Sequence, residues 1–445
     1  MNDEHVYDFI AIGLGPFNLG LACLSDPLKD VKCLFLEKKN EFSWHAGMLL
    51  EGTTLQNPFL ADMVSMADPS NPLSYLNYCK QQGRLYTYYI RENWYLTRTE
   101  FDRYCKWAAS QLDNIRYQHE VVEIWHDPQL ASYLVSGVYG PHNTPFQLRT
   151  RKLVIGIGGV PHLPPCVPLE NVQQVVHTSN YLSSKTQLQK CKNITVIGSG
   201  QSGAEVYHEL LTESSQYGYT VNWVTRASRF FQMEDAKLTL ELITPDYGNY
   251  FYSLDPEVKK SCLEHQRCIY NGINQLLIED IYQTLDERRH HDEPRTQLLT
   301  NLALSQCKPV DSNAQWELIF DHVQLGLQYR HVTDGLVFAT GYRHELPHFV
   351  AGIQERICWD DQGRYAPSND WAVDHEHTEI FVQNVGLHSH GLTGPDLGLA
   401  CYRNSRLLHK LTGIDFYPCE ERTAFQDFVP RANSGFETLG SRGAV

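Results

Sequence analysis

The feature that most restricts the fold of this sequence is a glycine-rich turn between an apolar strand and a helix. The strand is predicted over 9–12, the turn is GLGPFN at 13–18, and the helix continues over 19–22. A second apolar strand over 33–36 ends on Glu37. Strand, turn, helix, strand and terminal acid in this order are typical of a dinucleotide-binding βαβ unit. The alternative is a tight strand-to-helix turn in another kind of α/β protein.

Each position of the turn has a chemical reason. Gly13 permits the tight bend, and Gly15 lets backbone amides approach a pyrophosphate at the helix N-terminus. Glu37 is placed to accept hydrogen bonds from a ribose. Asn18 stands where the motif has its third glycine, so the unit is a variant of the standard fingerprint.

A second unit begins with an apolar strand at 194–197 and an intact GSGQSG turn at 198–203. Its next strand, 221–224, is followed by Arg226 where the first unit has Glu37. An acid pairs with a free 2′-hydroxyl, whereas an arginine favours a 2′-phosphate. The first unit therefore suits FAD, and the second suits NADP(H) over NAD(H). The alternative is that Arg226 is a solvated surface charge.

Two dinucleotide folds in one chain predict a flavin-dependent oxidoreductase in which NADPH delivers hydride to the flavin. The predicted fold class is α/β, with two Rossmann-like dinucleotide-binding domains, for FAD and NADPH, plus a small, mainly helical substrate-binding insert. The expected boundaries are 1–180 and 331–445 for the FAD domain, 181–230 and 296–330 for the NADPH domain, and 231–295 for the insert.

Local patterns give finer expectations. Within the insert, helices are predicted near 234–243, 256–265 and 273–289. In the first domain, the residues after Gly83, up to 90, read as a strand. Apolar residues at helical spacing predict a helix from Thr99, as its N-cap, to Leu112.

Composition excludes several classes. A net charge of −15 argues against nucleic acid or an anionic membrane as the main partner. The sequence contains neither a recognisable signal peptide nor an apolar run of membrane-spanning length. The 12 cysteines are scattered without a C-x-x-C pair, so we expect free thiols in a cytoplasmic protein. The paired histidines lack recognised ligand spacing, so no metal site is predicted.

Several motifs occur in the order of a known family, and together they are specific. They are GLGPFNLGLA at 13–22, FSWHAGM at 42–48, LQNPFLAD at 55–62, GRLY at 83–86, GSGQSGAE at 198–205, ATGY at 339–342 and HGL at 390–392. Over roughly residues 5–415 the chain resembles the microbial N-hydroxylating flavin monooxygenases of siderophore biosynthesis, which act on lysine, ornithine or diamines.

The resemblance implies roles for individual residues. Contacts to FAD or to the meeting point of the two cofactor domains would come from Gly13, Gly15, Pro16, Phe17, Asn18, Glu37, Trp44, His45, Gln56, Thr340, Gly341, Tyr342, Gly391 and Leu392. NADPH would be held by Gly198, Ser199, Gly200, Gln201, Ser202 and Arg226. The implied catalytic residues are Gln56, Gln201 and Asn271, and the implied substrate positions are Ala61, Leu240, Asn271 and Thr393. An alternative for Trp44 is that it only fills the core.

One departure from the family pattern bears on the substrate. Members that act on lysine or ornithine carry a lysine where this chain has Ala61, and ornithine enzymes carry an asparagine where it has Leu240. Without these polar partners a substrate carboxylate would be poorly paired, so the resemblance favours a diamine, putrescine or cadaverine. The alternatives are L-lysine or L-ornithine, with another cation such as Lys237 supplying the missing charge.

The resemblance also implies the reaction. NADPH reduces FAD, O2 adds to give a hydroperoxyflavin, and the neutral amine takes the distal oxygen; the family suggests a homo-tetramer. A sulfide- or ketone-oxidising flavin monooxygenase is disfavoured because GPFN and FSWH are specific to the amine hydroxylases. An alternative from a different class is a non-catalytic protein that senses nucleotides or serves in assembly.

Overall fold

The computed structural model describes residues 6–168, 175–290, 295–310, 315–431 and 434–440. The strands are β1 (Val6–Ile12), β2 (Cys33–Leu36), β3 (Thr54–Pro58), β4 (Tyr95–Thr97), β5 (Ile115–Arg116), β6 (His119–Asp127), β7 (Ser132–Tyr139), β8 (Thr144–Ile155), β9 (Val160–Pro161), β10 (Val176–His177), β11 (Asn193–Ile197), β12 (Thr220–Val224), β13 (Thr296–Leu299), β14 (Leu302–Val310), β15 (Gln315–His322), β16 (Gln328–Thr333), β17 (Gly335–Phe338), β18 (Tyr342–Arg343) and β19 (Ile380–Val382).

The α-helices are α1 (Pro16–Ser25), α2 (Tyr75–Gln81), α3 (Leu85–Arg91), α4 (Arg98–Ser110), α5 (Tyr181–Leu188), α6 (Gln201–Tyr217), α7 (Lys237–Leu240), α8 (Pro245–Ser253), α9 (Pro256–His265), α10 (Arg267–Asn271), α11 (Gln275–Arg288), α12 (Leu387–His390) and α13 (Ala400–Thr412). Short 3-10 turns include Glu241–Ile243 and Gly391–Thr393.

The first sheet contains β1 between β2 and the end of β8, all three parallel. The first half of β8 pairs antiparallel with β7, which pairs with β6 in the same way. As the sequence predicted, the chain returns late to this sheet, because β19 pairs in parallel with the end of β8. Helices α1, α4 and α13 contribute to the apolar core on one face of the sheet.

The second sheet has the order β10-β17-β11-β12-β13, and every pairing in it is parallel. Here the expected domain boundaries at 180 and 331 are wrong. Both β10 and β17 were assigned to the first domain, yet β17 pairs along β11 and β10 pairs along β17. The physical reason is that Val337 and Phe338 are completely buried in the cores around the second sheet. Strands β14, β15 and β16 form a separate antiparallel sheet.

The chain between β12 and β13 is helical, as predicted, but with more breaks than the sequence indicated. Helix α9 (Pro256–His265) has the predicted bounds, and α11 occupies most of the predicted 273–289 helix. The helix expected near 234–243 is shorter, because it is α7 followed by the turn Glu241–Ile243. Helices α8 and α10 were not predicted.

Two local predictions in the first domain are wrong. The residues after Gly83 form helix α3 instead of a strand. Its aromatic residues have strand propensity, but Leu85 and Tyr88, three positions apart, pack on the core and favour a helical turn. Helix α4 begins at Arg98, and its N-cap is Thr97, whose hydroxyl accepts a hydrogen bond from the Glu100 amide, so Thr99 is not the cap.

Candidate functional site

The first glycine turn lies at the carboxyl end of β1. Gly13 has a φ of +85°, and a Cβ there would lie 2.7 Å from the carbonyl oxygen of Gly156, so only glycine fits. At Gly15 a Cβ would meet no atom of the described residues within 4 Å, and α1 begins there without a side-chain cap. Pro16 and Phe17 form the first turn of α1. The first backbone amides of α1, which have no intrahelical partner, and the open space at Gly15 fit a pyrophosphate.

Two buried side chains brace this turn. The Asn18 amide donates to the Gly13 carbonyl oxygen at 2.7 Å, and the residue is completely buried. The Glu37 carboxylate accepts from the amides of Leu14, at 2.8 Å, and Lys39, at 2.9 Å. Asn18 was expected to hold the pyrophosphate, but its hydrogen bonds are with the turn itself. Each Glu37 oxygen retains a lone pair that a ribose hydroxyl can use.

The predicted cofactor residues of the FSWH and ATGY motifs come together. His45 Nδ1 lies 3.3 Å from the Tyr342 hydroxyl, and the rings of Trp44 and His45 are 4.7 Å apart. Gly341 precedes Tyr342, and its carbonyl oxygen lies 3.0 Å from His177 Nε2. His45 retains exposed surface, but desolvation in the cleft, followed by the charges of Arg98 and Lys39, lowers the pKa of its imidazole to about 4. The ring is therefore neutral at pH 7.

Gln56 lies on β3, and its buried Nε2 has no hydrogen-bond partner among the described residues. An unpartnered buried amide is costly, so this group fits a polar atom of a bound flavin. The next residue, Asn57, donates to Asp396 Oδ1 at 3.1 Å and so joins this strand to the loop after HGL. Thr340, whose hydroxyl donates to the His162 carbonyl oxygen, lies at the crossing between the two sheets.

The second glycine turn brings Gln201 and the helical insert together. Gln201 Oε1 accepts from the Asn274 amide at 2.8 Å. A Cβ at Gly200 would lie 3.9 Å from the carbonyl oxygen of Asn271 and would meet no closer atom of the described chain. Gly198 has a φ of +127°, which only glycine adopts readily. Two of the three predicted catalytic residues, Gln201 and Asn271, are therefore neighbours.

The carboxyl end of β12 lies beside the second glycine turn. The Thr225 hydroxyl donates to Ser199 Oγ at 2.9 Å, which ties the end of this strand to the glycine turn. Arg226 follows it and is exposed, so its guanidinium is available to a phosphate. Ser202 lies in the first turn of α6, where backbone amides are free of intrahelical partners.

A charged pair that the sequence did not reveal lies behind this turn. Glu205, on α6, is 3% exposed, and its Oε1 lies 2.9 Å from Arg98 Nη2 of the first domain. The same oxygen accepts from Gln201 Nε2 at 2.8 Å. The pKa of Glu205 is raised overall because burial outweighs the opposing effects of the Arg98 charge and the Gln201 hydrogen bond. The pair therefore orients Gln201 and joins the parts of the chain around the first and second sheets.

The predicted substrate positions lie on separate segments. Ala61 follows β3 and is 7% exposed, while Leu240, at the end of α7, is 36% exposed. Thr393 is buried, and its hydroxyl donates to the His390 carbonyl oxygen at 2.6 Å. Its hydroxyl proton is thus already used. Helix α8 packs closely on this turn, because a Cβ at Gly248 would lie 2.8 Å from Thr393 Oγ1.

The turn Gly391–Thr393, which we call the HGL turn, packs equally closely against α8 at its first residue. Gly391 has a φ of +64°, and a Cβ there would lie 3.0 Å from the Phe251 ring. Leu392 is almost completely buried. The turn Glu241–Ile243 also lies against Gly391–Thr393. Leu240 and Thr393 therefore belong to neighbouring segments.

Comparison with known proteins settles the family. The model of the family described as L-lysine 6-monooxygenase/L-ornithine 5-monooxygenase matches residues 5–344, which is most of the chain. The chain belongs to this family. It is thus an FAD-dependent N-hydroxylating monooxygenase, and the resemblance inferred from its motifs is confirmed.

Three relatives of this monooxygenase are similar along nearly their whole length. The alcaligin biosynthesis enzyme of Bordetella pertussis is 51% identical, over 97% of this chain and 94% of the relative. The putrescine N-hydroxylase of Shewanella oneidensis is 43% identical, over 96% of this chain and 85% of the relative. The crystal structure of the FAD-bound cadaverine monooxygenase DfoA of Erwinia amylovora has a TM-score of 0.93 at 42% identity, covering 96% of this chain and 100% of that one.

The monooxygenase contains a buried cation that sequence reasoning missed. Arg403, on α13, is completely buried, and its Nη2 donates to the carbonyl oxygens of Thr393 and Gly394. The guanidinium lies 4.6 Å from the Phe17 ring and 5.2 Å from the Trp371 ring. Burial lowers the pKa of Arg403 to about 9. The only sequence signal for Arg403 is a charged residue on the apolar face of a helix. Through its hydrogen bonds to Thr393 and Gly394, Arg403 fixes the end of the HGL turn.

A mainly apolar cavity of about 360 Å³ lies at the carboxyl ends of β8 and β19 in this monooxygenase. It is lined partly by Ile157, Leu263, Gln383 and His388, and none of the predicted site residues lines it.

All twelve cysteines are free thiols. Within the described ranges, no cluster of three metal-ligating side chains occurs. No helix in the same ranges is long and apolar enough to cross a membrane.

Proposed function

We propose that this protein uses FAD, NADPH and O2 to hydroxylate one primary amine of putrescine or cadaverine, for hydroxamate siderophore biosynthesis. The observation that carries the proposal is Ala61, a small, buried apolar residue where amino-acid hydroxylases of the family have a lysine. The similarity to a putrescine N-hydroxylase and a cadaverine monooxygenase over nearly the whole chain supports it.

Charge decides between the two kinds of substrate. An amino acid brings a carboxylate, and leaving a buried carboxylate without its cation costs roughly 2–5 kcal/mol. A diamine brings a second ammonium instead, which a lysine at Ala61 would repel. An apolar wall at Ala61 and Leu240 suits a methylene chain.

The two glycine turns would hold the two nucleotides. The Gly13–Asn18 turn and Glu37 would bind the FAD pyrophosphate and ribose, and Gln56 would contact the flavin. The Gly198 turn and Arg226 would bind NADPH. When bound and reduced, FAD supplies the activation of O2. The overall reaction converts R–NH2, O2, NADPH and a proton into R–NHOH, NADP+ and water.

The protein's own residues would orient the amine. Only the unprotonated amine has a lone pair to accept oxygen, and the Asn271 side chain can accept an amine N–H without neutralising that lone pair. Gln201 holds the start of α11 through the Asn274 amide, which fixes Asn271 beside the NADPH turn. Helix α8, packed on the HGL turn, would exclude water from the reacting centre.

The larger organisation follows from the same proposal. The parts around the first sheet would form the FAD domain, those around the second sheet the NADPH domain, and helices α7 to α11 the substrate-binding insert. By the family resemblance we further propose a cytoplasmic homo-tetramer. Light scattering on the purified protein measures the assembly: a mass four times that of the chain is expected, and a monomer would contradict it.

A second candidate is hydroxylation of L-lysine or L-ornithine, favoured by Lys237 at the start of α7, three residues before Leu240. A purified enzyme of either kind is yellow, oxidises NADPH faster with an amine present, and releases a hydroxylated amine. Product detection with each amine tests the proposal. Colourless protein, or amine-independent NADPH oxidation without product, would favour a non-catalytic role.

A further inference from the structure

The chain after α13 returns to the helical insert and binds it through a set of hydrogen bonds. We call residues 417–428 the C-terminal clasp. At its start, the Tyr417 hydroxyl donates to the Leu24 carbonyl oxygen at 2.8 Å, at the end of α1. The clasp is therefore anchored on the first domain. It lies beyond residue 344, where the match to the family model ends.

One set of clasp contacts is with Glu241–Ile243, the turn that follows α7. Glu241 Oε1 accepts from the Phe425 amide at 3.0 Å, and Oε2 accepts from the Gln426 amide at 2.9 Å. Gln426 Nε2 donates in return to the Leu238 carbonyl oxygen at 2.7 Å. The two amides lower the pKa of Glu241, so its carboxylate is charged when it binds the clasp. Leu240 lies between the two bonded residues Leu238 and Glu241.

A second carboxylate binds the clasp at the start of α8. Asp246 Oδ2 accepts from the Thr423 amide at 2.7 Å and from the Ala424 amide at 3.0 Å. The Phe428 ring completes the contact, with its centroid 4.9 Å from that of Tyr247. The carboxylates of Glu241 and Asp246 thus accept hydrogen bonds from four backbone amides of the clasp.

The α7–α8 segment contacts both the clasp and the HGL turn. Glu241 and Asp246 are bonded to the clasp, whereas Gly248 and Phe251 lie against Thr393 and Gly391 of the HGL turn. The segment that follows Leu240 is therefore bonded to the clasp and packed on the HGL turn. Hydrogen bonds from backbone amides to a carboxylate fix the relative orientation of the two segments, which apolar packing alone does not do.

We propose that the C-terminal clasp positions the substrate wall of this monooxygenase, with Glu241 and Asp246 as the positioning residues. This inference rests on the proposed function. By holding Leu240 and α8 against the HGL turn, the clasp fixes the length of the amine site and keeps water out of it. Loosening the clasp should weaken amine binding and waste reducing equivalents, while the two nucleotide turns continue to work.

The test uses the full-length enzyme with FAD and the variants Glu241→Gln and Asp246→Ala. Both Glu241 oxygens accept a clasp amide, so Glu241→Gln turns one NH2 group towards a backbone donor. A single Asp246 oxygen accepts both of its amides, so Asp246→Ala is needed to remove that acceptor. The matched control is Glu421→Gln, an exposed acid on the same segment. Flavin content and the rate of flavin reduction by NADPH without amine establish that each variant is folded and loaded.

We expect both clasp variants to raise the KM for putrescine about fivefold or more, the equivalent of losing roughly one hydrogen bond. They should also yield less hydroxylated product per NADPH oxidised, while flavin content, flavin reduction and the control remain unchanged. Hydrogen exchange of 237–253 should be faster in the variants. Faster exchange with unaltered KM and product yield would overturn the positioning role, and unaltered exchange would overturn the clasp itself.

Cadaverine is measured in parallel, because the proposed function names both diamines. If the unaltered enzyme hydroxylates no amine, the proposed function fails, and with it the claim that the clasp positions an amine. The exchange measurement then still decides whether Glu241 and Asp246 hold the 237–253 segment. The two failures are therefore distinguishable.

Discussion

The guanidinium of Arg98 and the carboxylate of Glu205 join the parts of the chain around the first and second sheets, with Arg98 Nη2 2.9 Å from Glu205 Oε1. Glu205 also accepts from Gln201, and Gln201 accepts from Asn274 in the helical insert. One connected chain of polar contacts therefore runs from helix α4 through the second glycine turn to the segment that carries Asn271. Because Glu205 is almost completely buried, removing its cation leaves an uncompensated charge.

Replacing Arg98 by methionine should lower the free energy of unfolding by about 3 kcal/mol, because Glu205 then stays buried without its partner. Denaturant titration of the FAD-loaded protein measures it. The control is Arg151→Met, since Arg151 pairs with Asp8 at an exposed site and should cost less than about 1 kcal/mol. Equal losses in the two variants would mean that the Arg98 pair contributes no more than a surface ion pair.

The two glycine turns should separate the two nucleotides. Gly15 and Gly200 have φ values of −82° and −84°, which a valine tolerates. A Cβ at Gly15 meets no described atom within 4 Å, so Gly15→Val should fold but lose FAD, since the side chain occupies the place of the pyrophosphate. Gly200→Val should remain yellow but be reduced slowly by NADPH.

Absorbance of the purified variants and stopped-flow reduction with NADPH give the two readouts, and circular dichroism checks that both variants are folded. A folded Gly15→Val protein with full flavin would contradict the assignment of the first turn. A folded Gly200→Val protein that lacks flavin would indicate that the two nucleotides are exchanged.

Arg226 should select NADPH over NADH through the 2′-phosphate. Arg226→Ala should raise the KM for NADPH by the equivalent of about 1.5–3 kcal/mol of charge-assisted hydrogen bonding, with little change for NADH. Steady-state kinetics with both nucleotides measures it, and Arg151→Ala controls for the loss of a surface charge. An unaltered enzyme that uses both nucleotides equally well would refute the assignment.

His390 should make the protein sensitive to acid. It is 2% exposed, and burial lowers the pKa of its imidazole to about 3. Between that value and the ordinary pKa of about 6.5, the unfolded chain binds a proton that the folded protein does not. The free energy of unfolding therefore falls as the pH drops through this window. At about pH 5 the contribution of His390 to this loss is about 2 kcal/mol.

The variant His390→Phe keeps a ring near Trp371, whose centroid lies 4.7 Å from that of His390, but it does not titrate. Between about pH 7.5 and pH 5 it should lose about 2 kcal/mol less stability than the unaltered protein. Urea unfolding at the two pH values gives the comparison. Equal losses would show that His390 is not the titrating group.

The glycine turns could be predicted because their information is local. Gly13 and Gly198 need positive φ, and each sits between an apolar strand and a helix, so a few adjacent residues suffice. The returning strand β19 was also recognisable, since it is a short apolar run. Helix α3 was not, because its aromatic residues favour a strand locally and only packing of Leu85 and Tyr88 on the core reverses this.

The contacts that organise the candidate site had no local signal. Arg98 and Glu205 are 107 residues apart, and Asp246 and Thr423 are 177 apart. Each of these residues reads as an ordinary surface charge or turn residue in the sequence. Only the fold buries Glu205 and places the clasp on the α7–α8 segment. Ala61 could be recognised because the FLAD motif surrounding it matched a family pattern.

The most direct test of the account is kcat/KM for hydroxylated product with putrescine, cadaverine, L-ornithine and L-lysine under one set of conditions. We predict that the better diamine exceeds both amino acids by at least about 100-fold, equivalent to roughly 2.7 kcal/mol. Ala61→Lys should narrow this gap by weakening diamine turnover, whereas Ala61→Val should not. An amino acid hydroxylated as well as or better than both diamines would contradict the diamine assignment.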